Sequence, residues 1–261
     1  MYSFDFVKPS SVDEAVAALG ADEAQALGGG QTLIPTLKQR LASPSALVSL
    51  TGIDSMKGVS QDGDMLVIGG ATTHATVAAE AGAYPALADM ASHIGDPAVR
   101  NRGTIGGSLA NNDPSACYPC GALASGATIV TNTREIAADD YFQGMFTTAL
   151  DEGEIITGVK FPIPEKANYQ KFVQPASRFA LVGVMVAKYA GGVRVAVTGA
   201  SEDGVFRWTE AEEALTGAFS ATAVEGLTAS ADGLIGDLHG TPAYRAHLIK
   251  TLTKRAVAAA A

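Results

Sequence analysis

The 261-residue chain holds only two cysteines, four histidines and one tryptophan. Two thiols cannot supply a disulfide framework. The pair in Cys117-Tyr118-Pro119-Cys120, with His74, His93, His239 and His247 scattered, lacks the ligand number and spacing of a zinc or iron–sulfur site. The cysteines therefore read as ordinary buried thiols rather than a redox dithiol. Basic residues are scarce as well: 18 Lys and Arg stand against 27 Asp and Glu, a net charge of −9, without a cationic cluster. That balance argues against a nucleic-acid or anionic-membrane surface. No run approaches the roughly 20 apolar residues of a membrane span. The start, Met1 to Pro9, lacks the basic head and long apolar stretch of a signal peptide. A cytoplasmic protein is expected.

Catalytic signatures are missing too. G-x-G-x-x-G fails where Leu33 stands, no Gly-Lys pair offers a phosphate loop, and neither a Gly-x-Ser-x-Gly elbow nor His-Glu-x-x-His occurs. No pair of carboxylates has the spacing of an acid–base couple. No catalytic residue and no metal ligand is assigned.

Glycine, by contrast, is abundant, and two segments concentrate it. The first is Gly28-Gly29-Gly30-Gln31-Thr32-Leu33-Ile34-Pro35. The second is Gly103-Thr104-Ile105-Gly106-Gly107-Ser108-Leu109-Ala110-Asn111-Asn112-Asp113-Pro114. Residues without side chains let a ligand approach the backbone closely. Successive free N–H groups then form a nest for anionic oxygens, and Gln31, Thr32, Thr104 and Asn111 can add side-chain bonds. One such run is as readily a tight turn. Two, each with a threonine and an amide, point to a dinucleotide held at its phosphates from two sides. With so little catalytic side-chain chemistry, the cofactor would carry the reaction.

The spacing of apolar residues predicts an α+β chain. Ser11-Val12-Asp13-Glu14 is a capping box for a helix ending at Gly20. A strand at 24–27, a helix at 33–41 and a strand at 46–50 follow. Residues 59–68 form a hairpin on an Asp-Gly turn. Helices are expected at 75–81, 85–94 and 117–124, and strands at 128–131 and 154–161. Residues 162–167 read as a linker. Beyond it, strands at 181–189, 193–199 and 205–208 give way to helices at 209–215, 221–227 and 242–259.

These motifs together resemble the FAD-binding medium subunit of molybdenum hydroxylases, the xanthine dehydrogenase and carbon monoxide dehydrogenase family. The likeness continues at Ile68-Gly69-Gly70-Ala71-Thr72-Thr73, at Gly153-Glu154-Ile155-Ile156-Thr157-Gly158-Val159 and at Pro175-Ala176-Ser177-Arg178-Phe179-Ala180-Leu181-Val182-Gly183-Val184. It implies a two-lobed FAD-binding fold of the vanillyl-alcohol oxidase and p-cresol methylhydroxylase type, with lobes at 1–52 and 53–163. A C-terminal antiparallel sheet with helices, 164–261, would cover the flavin. It further implies noncovalent FAD, with Gly28, Gly29, Gly30, Gln31, Thr32 and Leu33 on one lobe. The other lobe would contribute Thr104, Ile105, Gly106, Gly107, Asn111 and Asp113. Ala71 and Ile156 would line the site. Phe179 stands either by the flavin ring or in the core. Cys117 occupies a position where relatives often carry an acid, and Asp113 can compensate. The molybdenum cofactor and two [2Fe–2S] clusters would sit in a large and a small partner subunit, in a dimer of heterotrimers. Rival readings are a stand-alone flavoenzyme of the same superfamily, which would need its own acid and base, and a non-catalytic nucleotide-binding protein.

Overall fold

The computed structural model describes residues 1–260, and its strands form three larger sheets, in order of their first strands, and a two-stranded ribbon. The first is small and parallel. Strands β1 (Asp5–Val7), β2 (Gln25–Leu27) and β3 (Ala46–Ser49) lie in the order β1-β3-β2. The crossovers use helices α1 (Val12–Leu19) and α2 (Leu33–Lys38). Ser11 caps α1 by accepting from the Glu14 N–H at 3.2 Å, as the capping box predicts. Glu14, however, reaches back to the N–H and hydroxyl of Ser10 rather than to Ser11. Ala15 and Val48 pack with Ile53, Met56, Ala71 and Ile155, so this lobe closes its core with residues of the next.

The second sheet is antiparallel, in the order β4-β5-β10-β6-β7. Its strands are β4 (Val59–Asp62), β5 (Met65–Gly69), β6 (Thr128–Thr131), β7 (Glu135–Ala137) and β10 (Ile156–Pro162). The expected hairpin is present, with Gly63 at φ +59°. Between β5 and β6 run α3 (His74–Glu80), α4 (Pro85–Ser92), α5 (Pro97–Arg100), α6 (Ile105–Asn111) and α7 (Cys117–Ser125). A short helix α8 (Ala138–Tyr141) and a two-stranded ribbon, β8 (Phe142–Gly144) with β9 (Thr147–Thr148), precede β10.

The third sheet, β11 (Lys166–Val173), β12 (Ala180–Tyr189), β13 (Gly192–Ser201) and β14 (Gly204–Arg207), is an antiparallel meander. Helices α9 (Thr209–Gly217) and α10 (Pro242–Ala259) cover its far face. Half of the residues expected to be a linker are strand, since Pro162 ends β10 and Lys166 and Ala167 begin β11.

Every residue of α7 is buried. A helix apolar on all sides needs partners on all sides, and α7 lies between the second and third sheets. Tyr169, Met185 and Ala196 of the third sheet join the core that contains α7. The Cys120 Sγ–H donates to the Ala196 carbonyl at 3.2 Å, and burial pushes this thiol up from its ordinary range. Both cysteines are buried and free, which accords with packed thiols. Among the described residues no helix is long and apolar enough to cross a membrane.

Candidate functional site: a cavity between the lobes

Strand β2 delivers the chain into the first glycine segment, and α2 takes it away. Between them the backbone turns sharply, with Gly30 at φ +71°. A β-carbon there would also press Ile34 at 2.8 Å. The N–H groups of Gly28, Gly29, Gly30, Gln31, Thr32 and Leu33 have no protein acceptor among the described residues. Six consecutive unpaired donors are the nest expected of an anion-binding loop. Gln31 steadies the turn by donating from Nε2 to the Gly29 carbonyl at 3.2 Å.

The second segment is built differently from the loop expected. Thr104 caps α6 by accepting from the Gly107 N–H at 3.2 Å, and Gly106 and Gly107 are helical. Its amides are largely spent inside the protein. Ile105 N–H donates to Thr72 O at 3.1 Å, and Gly106 N–H to Gly70 O at 2.9 Å. A β-carbon on Gly106 would meet that same Gly70 carbonyl at 2.6 Å. The glycine permits helix α6 to lie against the end of β5. It makes a packed wall rather than a second nest.

The two segments meet. A β-carbon on Gly28 would come 2.8 Å from Thr104 Oγ1. One on Gly29 would overlap the Arg102 carbonyl and approach Gly103 Cα to 2.6 Å. Around this junction lies a cavity of about 700 Å3, within the size range of cofactor sites. Its lining includes Gly28, Gly29, Gly30, Gln31, Thr32 and Leu33 from the first lobe and Ala71, Thr104, Gly106, Gly107, Asn111, Asp113 and Ile156 from the second. Phe179 and Arg178 come from the β11–β12 connection. Phe179 is 47% exposed at the rim, so it is not a core aromatic.

Ile105 is the exception among the expected site residues. Its side chain is fully buried in the second lobe's core, and its N–H is already bonded. Ile105 is the first residue of α6, directly after the Thr104 cap, and it faces inward, which a flat reading of the motif as loop conceals. The two adjacent asparagines also part. Asn111 faces the cavity, whereas Asn112, at φ +41°, donates to the carbonyls of Gly144 and Thr147, each at 2.8 Å. Asp113 accepts from the Ser115 N–H at 2.8 Å, which leaves one carboxyl oxygen free, and burial raises its pKa.

Sequence reasoning passed over several lining residues. His74, Ile94, Val99 and Lys171 belong to the cavity wall. His74 directly follows the quoted Thr72-Thr73, so its neighbourhood was signalled. Lys171 was not, because β11 was unassigned. Its Nζ donates to the His93 carbonyl at 2.9 Å and ties the third sheet to the end of α4.

Glu154 also borders the cavity, and its role is structural. Arg134 grips both carboxylate oxygens, at 3.0 and 2.9 Å. The hydroxyls of Thr131 and Thr133 donate at 2.6 and 2.7 Å, and the Asp151 N–H at 2.8 Å. Together, Arg134 foremost, they hold the carboxyl far below its usual range. This clamp shapes the turn that presents Ile155 and Ile156. Glu154→Ala is expected to lower stability by about 2–3 kcal/mol, since charge-assisted bonds are lost around a buried group. Because the folded pKa is depressed, the stabilisation is complete above the unfolded value of about 4.3 and fades as pH falls below it. Urea denaturation at pH 7 and pH 3 checks both points. The gap between wild type and variant should narrow at pH 3.

The cavity thus combines an anion nest, flanking apolar walls and an aromatic rim, which fits a flavin dinucleotide. The sequence profile described as "FAD binding domain in molybdopterin dehydrogenase" matches residues 2–164. The chain belongs to this family. It is 33% identical to the nicotine 6-hydroxylase medium subunit of Paenarthrobacter nicotinovorans, across 97% of this chain and 95% of the relative. It is 32% identical to the carbon monoxide dehydrogenase medium chain of Afipia carboxidovorans, across 98% and 96%. Its fold superposes with a TM-score of 0.89 on carbon monoxide dehydrogenase from Hydrogenophaga pseudoflava lacking the Mo-pyranopterin moiety of its cofactor, at 33% identity over 99% and 97% of the chains. The resemblance read from the motifs, and the α+β FAD-binding fold it implied, are both correct.

Proposed function

We propose that this chain is the FAD-carrying medium subunit of a molybdenum hydroxylase, with FAD held noncovalently between units 1–52 and 53–163 and covered by 164–261. The observation that carries this is the junction of the two glycine segments. Six free N–H groups open there into a cavity shared by all three units. In this reading Gly29, Gly30, Gln31 and Thr32 bind the pyrophosphate, and their backbone donors offset its charge without a basic patch. Thr104, Gly106 and Gly107 form the wall that fixes its depth. The free oxygen of Asp113 and the Asn111 amide orient the polar parts of the cofactor, and Ala71 and Ile156 bound it. Phe179 borders the ring.

The bound flavin supplies one- and two-electron exchange. Electrons would enter from [2Fe–2S] clusters of a small subunit, after oxidation of substrate at the molybdenum cofactor of a large subunit. They would leave to an external acceptor. A dimer of heterotrimers in the cytoplasm is the proposed assembly. The stand-alone flavoenzyme needs a free acid and base. Glu154 is clamped by Arg134, and Asp113, with one oxygen accepting from the Ser115 N–H and the other on the cofactor in this reading, stands alone without a partner acid.

Apo-chain titrated with FAD should develop a yellow, fluorescence-quenched complex. After acid precipitation all flavin should remain in the supernatant. The absence of uptake refutes the cofactor, and flavin retained in the pellet refutes noncovalent attachment.

A further inference from the structure

His74 occupies an unusual position in the cavity wall. It opens helix α3, is 5% exposed, and its own N–H is bonded to Gly103 O at 2.9 Å. Its ring lies 5.3 Å from that of Tyr118. Burial and the charge of Arg100 lower its pKa to about 4, so the imidazole is neutral near pH 7. A neutral imidazole carries one proton, on one of its two nitrogens.

Nδ1 is fully enclosed and has no partner. Its neighbours offer none. The Tyr118 hydroxyl is itself enclosed and unbonded, and Arg100 only donates, to the carbonyls of Ile94 and Gly95. A proton on Nδ1 would be a buried donor without an acceptor, which proteins avoid. The proton therefore belongs on Nε2. That nitrogen lies against the bare face of Gly103, where a β-carbon would come within 2.5 Å of it. Gly103 is a cavity residue and directly precedes Thr104.

The wall at this point is short of donors. The amides of Ile105 and Gly106 are bonded to Thr72 O and Gly70 O, and that of Gly107 to the Thr104 hydroxyl. A side-chain N–H beside Gly103 fills that gap. Gly103 also faces the nest, since a β-carbon on Gly29 would approach Gly103 Cα to 2.6 Å, so His74 stands at the junction of the two glycine segments.

We propose that His74 is a cofactor contact whose Nε2–H donates to an acceptor atom of FAD at the junction of the two glycine segments. This rests on the FAD reading above. It predicts that removing the donor weakens FAD binding and that a substitute donor restores it.

The test uses the full chain as His74→Phe, which keeps a ring against Tyr118, and as His74→Gln, which restores a side-chain N–H. FAD affinity is measured for each by titration. The expected result is about a tenfold loss of FAD affinity in His74→Phe, the scale of one hydrogen bond, with much of that loss recovered in His74→Gln. Unchanged FAD affinity in His74→Phe overturns the proposal, and so does a loss in His74→Gln equal to that in His74→Phe. If His74→Phe fails to fold, His74→Gln decides, since a substitute donor should keep affinity within a few-fold of wild type and a larger loss overturns the contact. Wild-type chain that takes up no FAD removes the underlying cofactor reading instead.

Discussion

Gly29→Val is expected to abolish measurable FAD binding while the apo-chain keeps its secondary structure and most of its thermal stability. Gly29 is where the first lobe's loop touches the second lobe's backbone. Its missing β-carbon would overlap the carbonyl of Arg102 and crowd Gly103 Cα. Backbone cannot rotate aside as a side chain can, so the two segments must separate. Forced overpacking of this kind costs about 1–3 kcal/mol and sometimes more. Displacing the nest also removes several charge-assisted bonds from the same ligand, each worth about 1.5–3 kcal/mol. Together they amount to a loss of well over about a hundredfold in affinity. Gly29 is half-buried at the junction, whereas Gly106 is buried inside the second lobe, so the fold itself is largely spared. Gly106→Val makes the contrast. Its clash is with Gly70 inside the second lobe, and it should lower the melting temperature of the apo-chain first. FAD titration and thermal melts of both variants separate the two roles. Near-native flavin affinity in Gly29→Val would show that the phosphates are not held at this junction.

That contrast marks what the amino-acid pattern could and could not show. Both glycine segments were legible because runs of Gly with Thr and amides are rare and their chemistry is specific. Their difference was not. Whether Gly106 makes room for a ligand or for Gly70 depends on which strand end lies opposite, a tertiary fact. The same limit applies to Ile105, whose inward direction follows from α6 being a helix capped by Thr104. The hairpin on Asp62-Gly63 and the long apolar strands β12 and β13 were plain from period and turn chemistry. Strand β11 was hidden. Lys166 to Val173 is rich in polar residues and lies at a sheet edge beside β12, and Pro162 and Pro164 nearby read as punctuation. With β11 unseen, Lys171 and its bond to His93 O were invisible. Strand β1 is only three residues long and is recruited by β3 rather than by its own propensity. His74 illustrates the opposite case. Its place in the sequence was noticed, but only its enclosure and its neighbours turn a lone histidine into a candidate ligand.

The isolated chain, loaded with FAD, is expected to turn over no organic substrate. Among the described residues no group of three or more His, Cys, Asp or Glu side chains could hold a metal ion. The two cysteines are buried and free, both in the core around α7. Glu154 is tied to Arg134, Asp113 has one oxygen on the Ser115 N–H, and the His74 imidazole is neutral near pH 7. None of these is arranged as a base facing a substrate. In the proposed reading the chain supplies a site in which a flavin accepts and releases electrons beside the exposed Phe179. Reduction should therefore follow a chemical reductant such as dithionite, and reoxidation should follow an added acceptor dye. Purines, aldehydes, nicotine-like heterocycles and carbon monoxide, each offered anaerobically to the FAD-loaded chain, should leave the flavin absorbance at its oxidised level. Adding the large and small partner subunits should restore bleaching with one of these substrates. The contrast is all-or-none, because the missing step is the whole of substrate oxidation. Bleaching by any of these compounds at an enzymatic rate, with no partner present, would refute the subunit reading and establish the chain as a flavoenzyme in its own right.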